Sequence, residues 1–230
     1  MQKIFHKTKD ATYSSDGQFI YAEVGEDKIK LALFDGHYYK LKLYNGIPVL
    51  EIDGLRMHLV KDFKSPLDYA KEVVKQLKIK KGAVLDSCMG LGYTAIEASK
   101  KADSVVTCEI SRAVINLAQW NPYSDRLFSD DIIVMNGNAA DLIKDFKSGT
   151  FSYVIHDPPR FSHAPELYSL DFYRQLFRVC KKGARIFHYV GSVGAKKGRS
   201  IDKEVEKRLK QSGFSRIVYS GRLQGLFASK

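Results

Sequence analysis

The sequence predicts an α/β protein in which a mostly parallel sheet, covered by helices on both faces, follows a small antiparallel β-rich domain. Turn dipeptides recur at short intervals in the first sixty residues, and helical and strand-like segments alternate from residue 65 onward. The strand-like segments of the second part are continuous apolar runs, which are typical of a parallel sheet buried on both faces. We therefore expect a β-rich domain over residues 1–62 and a larger domain over residues 63–230.

The first part predicts an antiparallel β-meander of about five strands. Asp-Gly and Asn-Gly dipeptides between apolar runs are strong hairpin signals. They occur at Asp16-Gly17, Asp35-Gly36, Asn45-Gly46 and Asp53-Gly54. The expected strands are 19–24, 29–34, 38–44, 48–52 and 55–60.

The second part predicts repeated βα units. Ser65 followed by Pro66 indicates a helix start, with Ser as the N-cap and Pro in the first turn. The expected strands are 83–85, 104–108, 132–135, 153–156, 185–190, 215–219 and 225–228, and the further helices are 94–100, 112–120, 142–146, 166–180 and 201–210. No helix separates the last two strands, so we expect them to form an antiparallel hairpin at one end of the sheet.

Composition is that of a soluble globular chain, with 44% hydrophobic and 27% charged residues among 230. No apolar run approaches the roughly 18 residues of a membrane span, and the first residues lack a signal-peptide pattern. Three widely spaced cysteines fit neither a disulfide framework nor a metal site. We expect a cytoplasmic protein without a bound metal; the oligomeric state is not predicted.

The net charge of +11 is concentrated near the carboxyl terminus. Residues 181–230 hold 13 Lys and Arg against 3 Asp and Glu. A basic surface of this kind either solubilises the protein or binds a polyanion. Lys196, Lys197 and Arg199 lie in a glycine-rich loop after the fifth strand of the larger domain, at its carboxyl end, so we expect them to contact nucleic-acid phosphates.

Ligands of open α/β sheets bind beyond the carboxyl ends of the strands. The first strand of the larger domain ends at Asp86 and continues into a loop that contains Gly90 and Gly92. This loop also matches a dinucleotide-binding pattern, but a carboxylate at Asp86 disfavours a pyrophosphate and favours a cationic ligand. Glu109 ends the next strand, where an acidic residue typically binds ribose hydroxyls. Asn138 and Asp157 follow the third and fourth strands.

Taken in order, these residues resemble the class I S-adenosylmethionine-dependent methyltransferases over about residues 65–230. The segments LDSCMGLGYTA, NPYS, HDPPRFS and ELYS resemble a group of uncharacterised archaeal methyltransferases. The resemblance implies a seven-stranded Rossmann-like sheet with an antiparallel last strand and S-adenosylmethionine as cofactor. The residues expected at the cofactor are Asp86, Ser87, Cys88, Gly90, Gly92, Tyr93, Glu109, Ile110, Asn138, Ala139 and Asp157.

The Asp157-Pro158-Pro159 segment resembles the motif with which methyltransferases hold planar amino nitrogens. A side-chain acceptor and the Pro158 carbonyl would bind the two N–H groups of the amine and align its lone pair with the methyl group. The family has an aromatic residue next, whereas this chain has Arg160 and then Phe161. We expect Asp157, Pro158 and Arg160 to be catalytic, and Arg160, Phe161 and His163 to contact the substrate.

These observations favour a methyltransferase that modifies a nitrogen of an RNA base, in tRNA or rRNA. Three alternatives remain open. Spermidine synthases also place a small β domain before this fold, so the chain could transfer an aminopropyl group, although the positive loop opposes a polycationic substrate. It could be an RNA-binding module without catalytic activity, which intact Asp86, Glu109 and Asp157 disfavour. A nicotinamide oxidoreductase is disfavoured by Asp86.

Overall fold

The computed structural model describes residues 10–191 and 201–230. A seven-stranded sheet forms the centre of the fold, in the order β10-β9-β8-β11-β12-β14-β13. Its strands are β8 (Ala83–Asp86), β9 (Ser104–Glu109), β10 (Ile132–Asn136), β11 (Phe151–His156), β12 (Cys180–Tyr189), β13 (Ser215–Ser220) and β14 (Gly225–Ser229). The five strands β8 to β12 are parallel, and β14 runs antiparallel to both β12 and β13. The predicted α/β class, the seven strands and the terminal antiparallel hairpin are confirmed.

Six helices accompany this sheet. They are α1 (Pro66–Leu77), α2 (Tyr93–Ser99), α3 (Arg112–Trp120), α4 (Ala139–Leu142), α5 (Leu170–Val179) and α6 (Ile201–Gln211), with short 3-10 helices at Pro122–Phe128, Ile143–Asp145 and Pro165–Tyr168. Helix α1 begins as predicted, because the Ser65 hydroxyl accepts a hydrogen bond from the Asp68 N–H and Pro66 occupies the first turn.

The N-terminal strands form two small antiparallel sheets instead of one meander. The first contains β1 (Thr12–Ser15), β2 (Ile20–Val24) and β3 (Asp27–Lys30); the second contains β4 (Ala32–Asp35), β5 (His37–Tyr44), β6 (Ile47–Ile52) and β7 (Leu55–Arg56). The single strand predicted over 29–34 is therefore wrong. It breaks at the buried Leu31, whose N–H donates to the Ile20 carbonyl and whose carbonyl accepts from Leu41.

One hydrophobic core joins these strands to the larger sheet. Ile20, Leu41 and Leu50 belong to the same buried cluster as residues of α1, α2 and α3, while a second cluster lies among β11, β12, α5 and α6. The predicted boundary at residue 62 falls between β7 and α1, and the division into two domains stays a prediction.

The helix predicted over 166–180 begins later than expected. Pro165 starts a 3-10 helix that ends at Tyr168, and Ser169 then caps α5 by accepting a hydrogen bond from the Phe172 N–H. This arrangement sets the segment after β11 across the carboxyl ends of the strands, where the candidate site lies.

Candidate active site

Three strands end at or next to an acidic residue at the point where the strand order reverses. Strand β8 has β9 on one side and β11 on the other, so the carboxyl ends of these three strands frame the crevice where open α/β sheets bind ligands. Asp86 and Glu109 are the last residues of β8 and β9, and Asp157 follows the last residue of β11. Three carboxyl groups predicted at the site are thus brought to one edge.

Asp86 is a fully buried carboxyl group. Its Oδ2 accepts hydrogen bonds from the Thr94 hydroxyl at 3.2 Å and the Thr107 hydroxyl at 3.1 Å. Its buried Oδ1 makes no hydrogen bond of normal geometry among the described residues. Burial raises the pKa of Asp86 to about 8, and the nearby Asp157 adds to the increase, although the two hydroxyls and the Cys88 N–H oppose it. A cationic or N–H-donating ligand would relieve this arrangement.

Glu109 connects its own strand to the glycine loop. Its two carboxylate oxygens accept from the Gly90 N–H at 3.0 Å and the Ser111 N–H at 2.9 Å. Burial raises its pKa to about 7 against the effect of these donors. The Asn136 amide donates to the carbonyls of Glu109 and Ile110, which holds this turn in place. Ile110 is 65% exposed beside Glu109, so it offers an apolar surface at the mouth of the crevice.

The glycine loop turns sharply at two positions. Gly90 and Gly92 have φ angles of 54° and 77°, and Gly92 stands at the N-cap of α2. A Cβ atom at Gly92 would lie 2.5 Å from the Leu127 side chain, so the close approach itself requires glycine. The Ser124 hydroxyl, from the predicted NPYS segment, donates to the Leu91 carbonyl at 2.7 Å and fixes the loop.

Tyr93, which the resemblance places at the cofactor, makes two hydrogen bonds on the side of the N-terminal strands, and its contact with a cofactor stays a prediction. Its hydroxyl donates to the Pro48 carbonyl of β6 at 2.7 Å and accepts from the buried Asn121 amide at 3.0 Å. Because Tyr93 lies in the first turn of α2, its direction depends on how that helix is rotated, and here the ring faces the N-terminal strands. Asn121 joins this contact to the glycine loop through Ser124.

Ser87, Cys88, Asn138 and Ala139 lie at the same edge. Ser87 is buried and Cys88 partly exposed, next in the chain to Asp86. Asn138 caps α4 by accepting from the Ala140 N–H, and its amide nitrogen donates to Glu166 at 3.2 Å. Contacts of these residues with a cofactor remain predictions.

The Asp157 corner is held by two tyrosines that the sequence did not single out for that role. The Tyr69 hydroxyl of α1 donates to Asp157 Oδ2 at 3.1 Å, and the Tyr168 hydroxyl donates to the Pro159 carbonyl at 2.8 Å. Burial raises the pKa of Asp157 to about 7, while the Tyr69 hydrogen bond lowers it. Pro158 is buried between these contacts. The corner is therefore rigid, and its carboxyl group can change protonation state near neutral pH.

Two buried histidines beside this corner make hydrogen bonds that hold the strand ends. His156 accepts from the Ser87 hydroxyl at 2.6 Å and donates to the Leu167 carbonyl, and His188 accepts from the Tyr173 hydroxyl. Burial lowers the pKa of His156 to about 3 and holds that of His188 well below its usual value. Both rings are therefore neutral and serve to join the strand ends to the following segments.

The expected substrate residues divide into two groups. Arg160, Phe161 and His163 lie exposed in the turn after Pro159, and the Phe161 ring contacts Tyr168 edge-on at 5.6 Å. Lys196, Lys197 and Arg199 lie outside the described residues.

The described residues contain neither a metal-binding cluster nor a membrane-spanning helix. Within residues 10–191 and 201–230, no group of three or more His, Cys, Asp or Glu side chains is arranged to hold a metal ion. No helix in those ranges combines the length and hydropathy needed to cross a membrane.

Sequence similarity to a known protein shows the family to which this chain belongs. No family model matches the chain. An uncharacterised protein of Methanocaldococcus jannaschii is 44% identical over 217 residues, which cover 94% of this chain and 74% of that protein. The chain belongs to the family of this archaeal protein.

Solved structures with a similar fold include members of two classes of enzyme. A spermidine synthase in complex with a transition-state analogue covers 100% of this chain and 83% of its own, with a TM-score of 0.69 and 16% identity. The Thermotoga maritima spermidine synthase has a TM-score of 0.66 with 16% identity over 100% of this chain and 82% of its own. An Aquifex aeolicus S-adenosylmethionine-dependent methyltransferase covers 70% of this chain and 87% of its own, with a TM-score of 0.52 and 20% identity. The family therefore has a fold found in both classes of enzyme.

Proposed function

We propose that this protein is an S-adenosylmethionine-dependent methyltransferase that modifies an exocyclic amino nitrogen of an RNA base. The observation that supports this proposal best is the grouping of Asp86, Glu109 and Asp157 at the switch point of the sheet, each with a raised pKa. Burial disfavours the charged form of each carboxyl group, and Asp157 adds to this effect at Asp86. A ligand that brings positive charge and hydroxyl donors would stabilise them.

S-Adenosylmethionine fits this set of hydrogen-bond acceptors. Its ammonium and sulfonium groups are cationic, and Asp86 presents a buried oxygen without a normal hydrogen bond. Glu109 has the position from which a carboxylate accepts hydrogen bonds from ribose hydroxyls, and the exposed Ile110 would pack against the adenine. The bound cofactor supplies an electrophilic methyl group. The protein's task is to orient the acceptor and to exclude water.

The Asp157 corner would orient the acceptor. The Asp157 carboxylate and the Pro158 carbonyl each accept one N–H of a planar amine, which turns the nitrogen lone pair toward the methyl carbon. The nitrogen pair forms the new C–N bond as the C–S pair returns to sulfur. The methylated nitrogen then releases one proton to Asp157 or water. Tyr69 keeps Asp157 in the orientation and charge state that this role requires.

The RNA part of the proposal is supported by charge. The basic surplus of residues 181–230 and the exposed Arg160 beside Asp157 both favour an anionic acceptor. Phosphate contacts of this kind position RNA without reading its sequence.

Mass spectrometry of nucleosides from total RNA tests this function. A strain that lacks the protein is expected to lose one methylated nucleoside, and the purified protein with S-adenosylmethionine is expected to restore it on the RNA of that strain. An unchanged nucleoside profile would contradict an RNA acceptor. Absence of heat on titration of S-adenosylmethionine, with RNA binding intact, would instead support a binding module without catalysis.

Aminopropyl transfer is a second candidate, favoured by one specific observation. The similarity to two spermidine synthases spans the whole chain, including the N-terminal strands, whereas that to the Aquifex aeolicus methyltransferase spans 70% of it. A polyamine acceptor would suit Asp86 and Asp157 but not the exposed Arg160. Incubation with decarboxylated S-adenosylmethionine and putrescine decides the matter, because only an aminopropyltransferase converts putrescine to a longer polyamine.

A further inference from the structure

Strand register places Tyr189 beside Asp157 on the α1 face of the sheet. In the pairing of β11 with β12, His156 lies opposite His188, so Asp157 and Tyr189 are the next residues along the two strands. Side chains alternate along a strand, so Tyr189 shares a face with Phe187. The centroids of the Phe187 and Tyr69 rings are 6.5 Å apart. Tyr69 in turn donates to Asp157. The half-buried ring of Tyr189 therefore adjoins the carboxyl group of the corner.

The turn between β13 and β14 carries a cation that is connected to the same corner through a series of ring contacts. The N–H groups of Val190 and Gly191 both donate to the Gln224 carbonyl, at 2.9 and 3.1 Å, so this turn lies against the end of β12. Arg222 in the turn is exposed, and its guanidinium lies 4.8 Å from the ring centroid of Phe63. Phe63 contacts the Tyr69 ring edge-on at 5.5 Å. Arg222 is thus separated from the Asp157 corner by two aromatic rings in contact.

We propose that Tyr189 and Arg222 complete a nucleotide-binding acceptor site, in which the target base lies against the Tyr189 ring and a phosphate of the same strand contacts Arg222. This inference rests on the proposed function and specifies its substrate as a nucleotide of a nucleic-acid strand. The motif that holds planar amines usually has an aromatic residue after its second proline, where this chain has Arg160. The Tyr189 ring would supply the aromatic surface instead.

The chemistry of the two side chains favours a nucleotide over a polyamine. Every base has a π face that stacks on an aromatic ring, and stacking does not depend on sequence. A guanidinium that rests on a ring still presents its N–H edge, which matches two phosphate oxygens. Arg222 and Arg160 would both repel a polyamine. A site that combines the Tyr189 ring, two arginines and the Asp157 carboxyl group therefore suits a nucleotide whose base carries an amine.

Fluorescence anisotropy with a fluorescein-labelled single-stranded RNA dodecamer tests this site. We expect Arg222→Ala to weaken binding about 3- to 10-fold and to reduce the slope of log affinity against log salt by about one. Arg216→Ala is the matched control. Arg216 is also exposed and lies in the same hairpin. It is near the start of β13, at the end of the strand away from the turn that holds Arg222. We expect the control to change affinity less than about twofold.

A second pair of variants tests Tyr189 while controlling for folding. Tyr189→Leu is expected to weaken RNA binding about tenfold through lost stacking, and Tyr189→Phe, which keeps the ring, to restore it. Thermal unfolding and the affinity for S-adenosylhomocysteine are measured on each variant. We expect the same melting temperature and the same affinity in Tyr189→Leu and Tyr189→Phe.

The outcomes distinguish this site from the function on which it rests. If wild-type protein binds the RNA while Arg222→Ala matches Arg216→Ala and Tyr189→Leu matches Tyr189→Phe, the proposed site is wrong and RNA methylation can stand. If wild-type protein does not bind the RNA, both proposals are wrong.

Discussion

At the scale of single residues, the candidate site consists of carboxyl groups whose burial in the fold disfavours the charged form. Asp86 is fully buried, and the pKa of Asp157 and of Glu109 is raised to about 7. Such shifts are common at functional sites, because a group that changes charge near neutral pH can respond to a ligand. Hydroxyl and backbone donors around these carboxyl groups keep them from being wholly neutral.

Tyr69→Phe tests the role of the Asp157 carboxylate. The Tyr69 hydroxyl stabilises its charged form, so removing the hydroxyl raises the pKa of Asp157 above its present value of about 7. Activity that requires the carboxylate rises with pH through that pKa, and the acidic limb of kcat/KM should move to higher pH. Activity at pH 7 should fall about 3- to 10-fold, as expected for the loss of a hydrogen bond to a charged group. Tyr153→Phe, which removes a hydroxyl that accepts from the Lys80 N–H outside the site, serves as the control. An unmoved limb in Tyr69→Phe would refute this role.

Asp86→Asn should separate stability from function. The pKa of Asp86 is about 8 in the folded protein, and that of an unfolded aspartate is about 3.9. Between these pH values the folded state binds a proton that the unfolded state lacks, so the free energy of unfolding falls as pH rises. The amide has no charge to bury. At pH 8 the variant should therefore melt about 2–4 °C higher, the shift that about 1 kcal/mol produces in a chain of this size.

The same variant should lose affinity for the cationic donor, about tenfold or more, because a carboxylate that faces it is gone. Calorimetry measures the affinity, with Asp141→Asn, an exposed carboxylate paired with Lys144, as the control. Lower stability together with unchanged donor affinity would show that Asp86 is a structural residue.

At the scale of elements, the glycine loop offers a matched pair of substitutions. Both glycines have positive φ, which costs an alanine about 1–2 kcal/mol. Only Gly92 also meets a neighbour, the Leu127 side chain, whereas nothing lies within 4 Å of a Cβ atom at Gly90. Gly92→Ala should therefore destabilise the protein by more than Gly90→Ala does, measured by urea unfolding. Equal losses would mean that Leu127 moves freely and that the close approach is not required.

Sequence alone predicted those parts of the site that follow strands directly. Asp86, Glu109 and Asp157 end or follow apolar runs, and the carboxyl ends of parallel strands must meet at one edge. Tyr69 could not be assigned to Asp157, because their contact joins residues 88 apart and depends on how α1 crosses β11 and β12. The contact of Tyr93 with Pro48 could not be assigned for the related reason that the rotation of α2 about its axis does not follow from its first residue.

At the scale of the whole molecule, the N-terminal strands and the larger sheet share one core. The sequence showed the turns but not that Leu31 would pair with both small sheets or that Leu41 would lie in the same cluster as α3. Tertiary packing decided both points. The shared core predicts that the chain unfolds as one unit, although its pattern of turns, strands and helices predicts two domains.

Leu41→Ala tests this cooperativity, with Trp120 as the probe. Leu41 is fully buried in β5, and Trp120, the single tryptophan, ends α3. The substitution should cost about 2–5 kcal/mol and shift the Trp120 fluorescence transition in urea by that amount. Leu43→Ala, on the same strand but 42% exposed, should shift it little. An unchanged Trp120 transition in Leu41→Ala would show that residues 1–62 fold independently.

The most direct test of the whole account is a crystal structure of the protein with S-adenosylmethionine bound. We predict the ribose hydroxyls on Glu109, the cationic end of the molecule near Asp86, and the methyl carbon directed at the Asp157-Pro158 corner. Density for the cofactor outside this crevice, or a methyl group directed away from Asp157, would contradict the account.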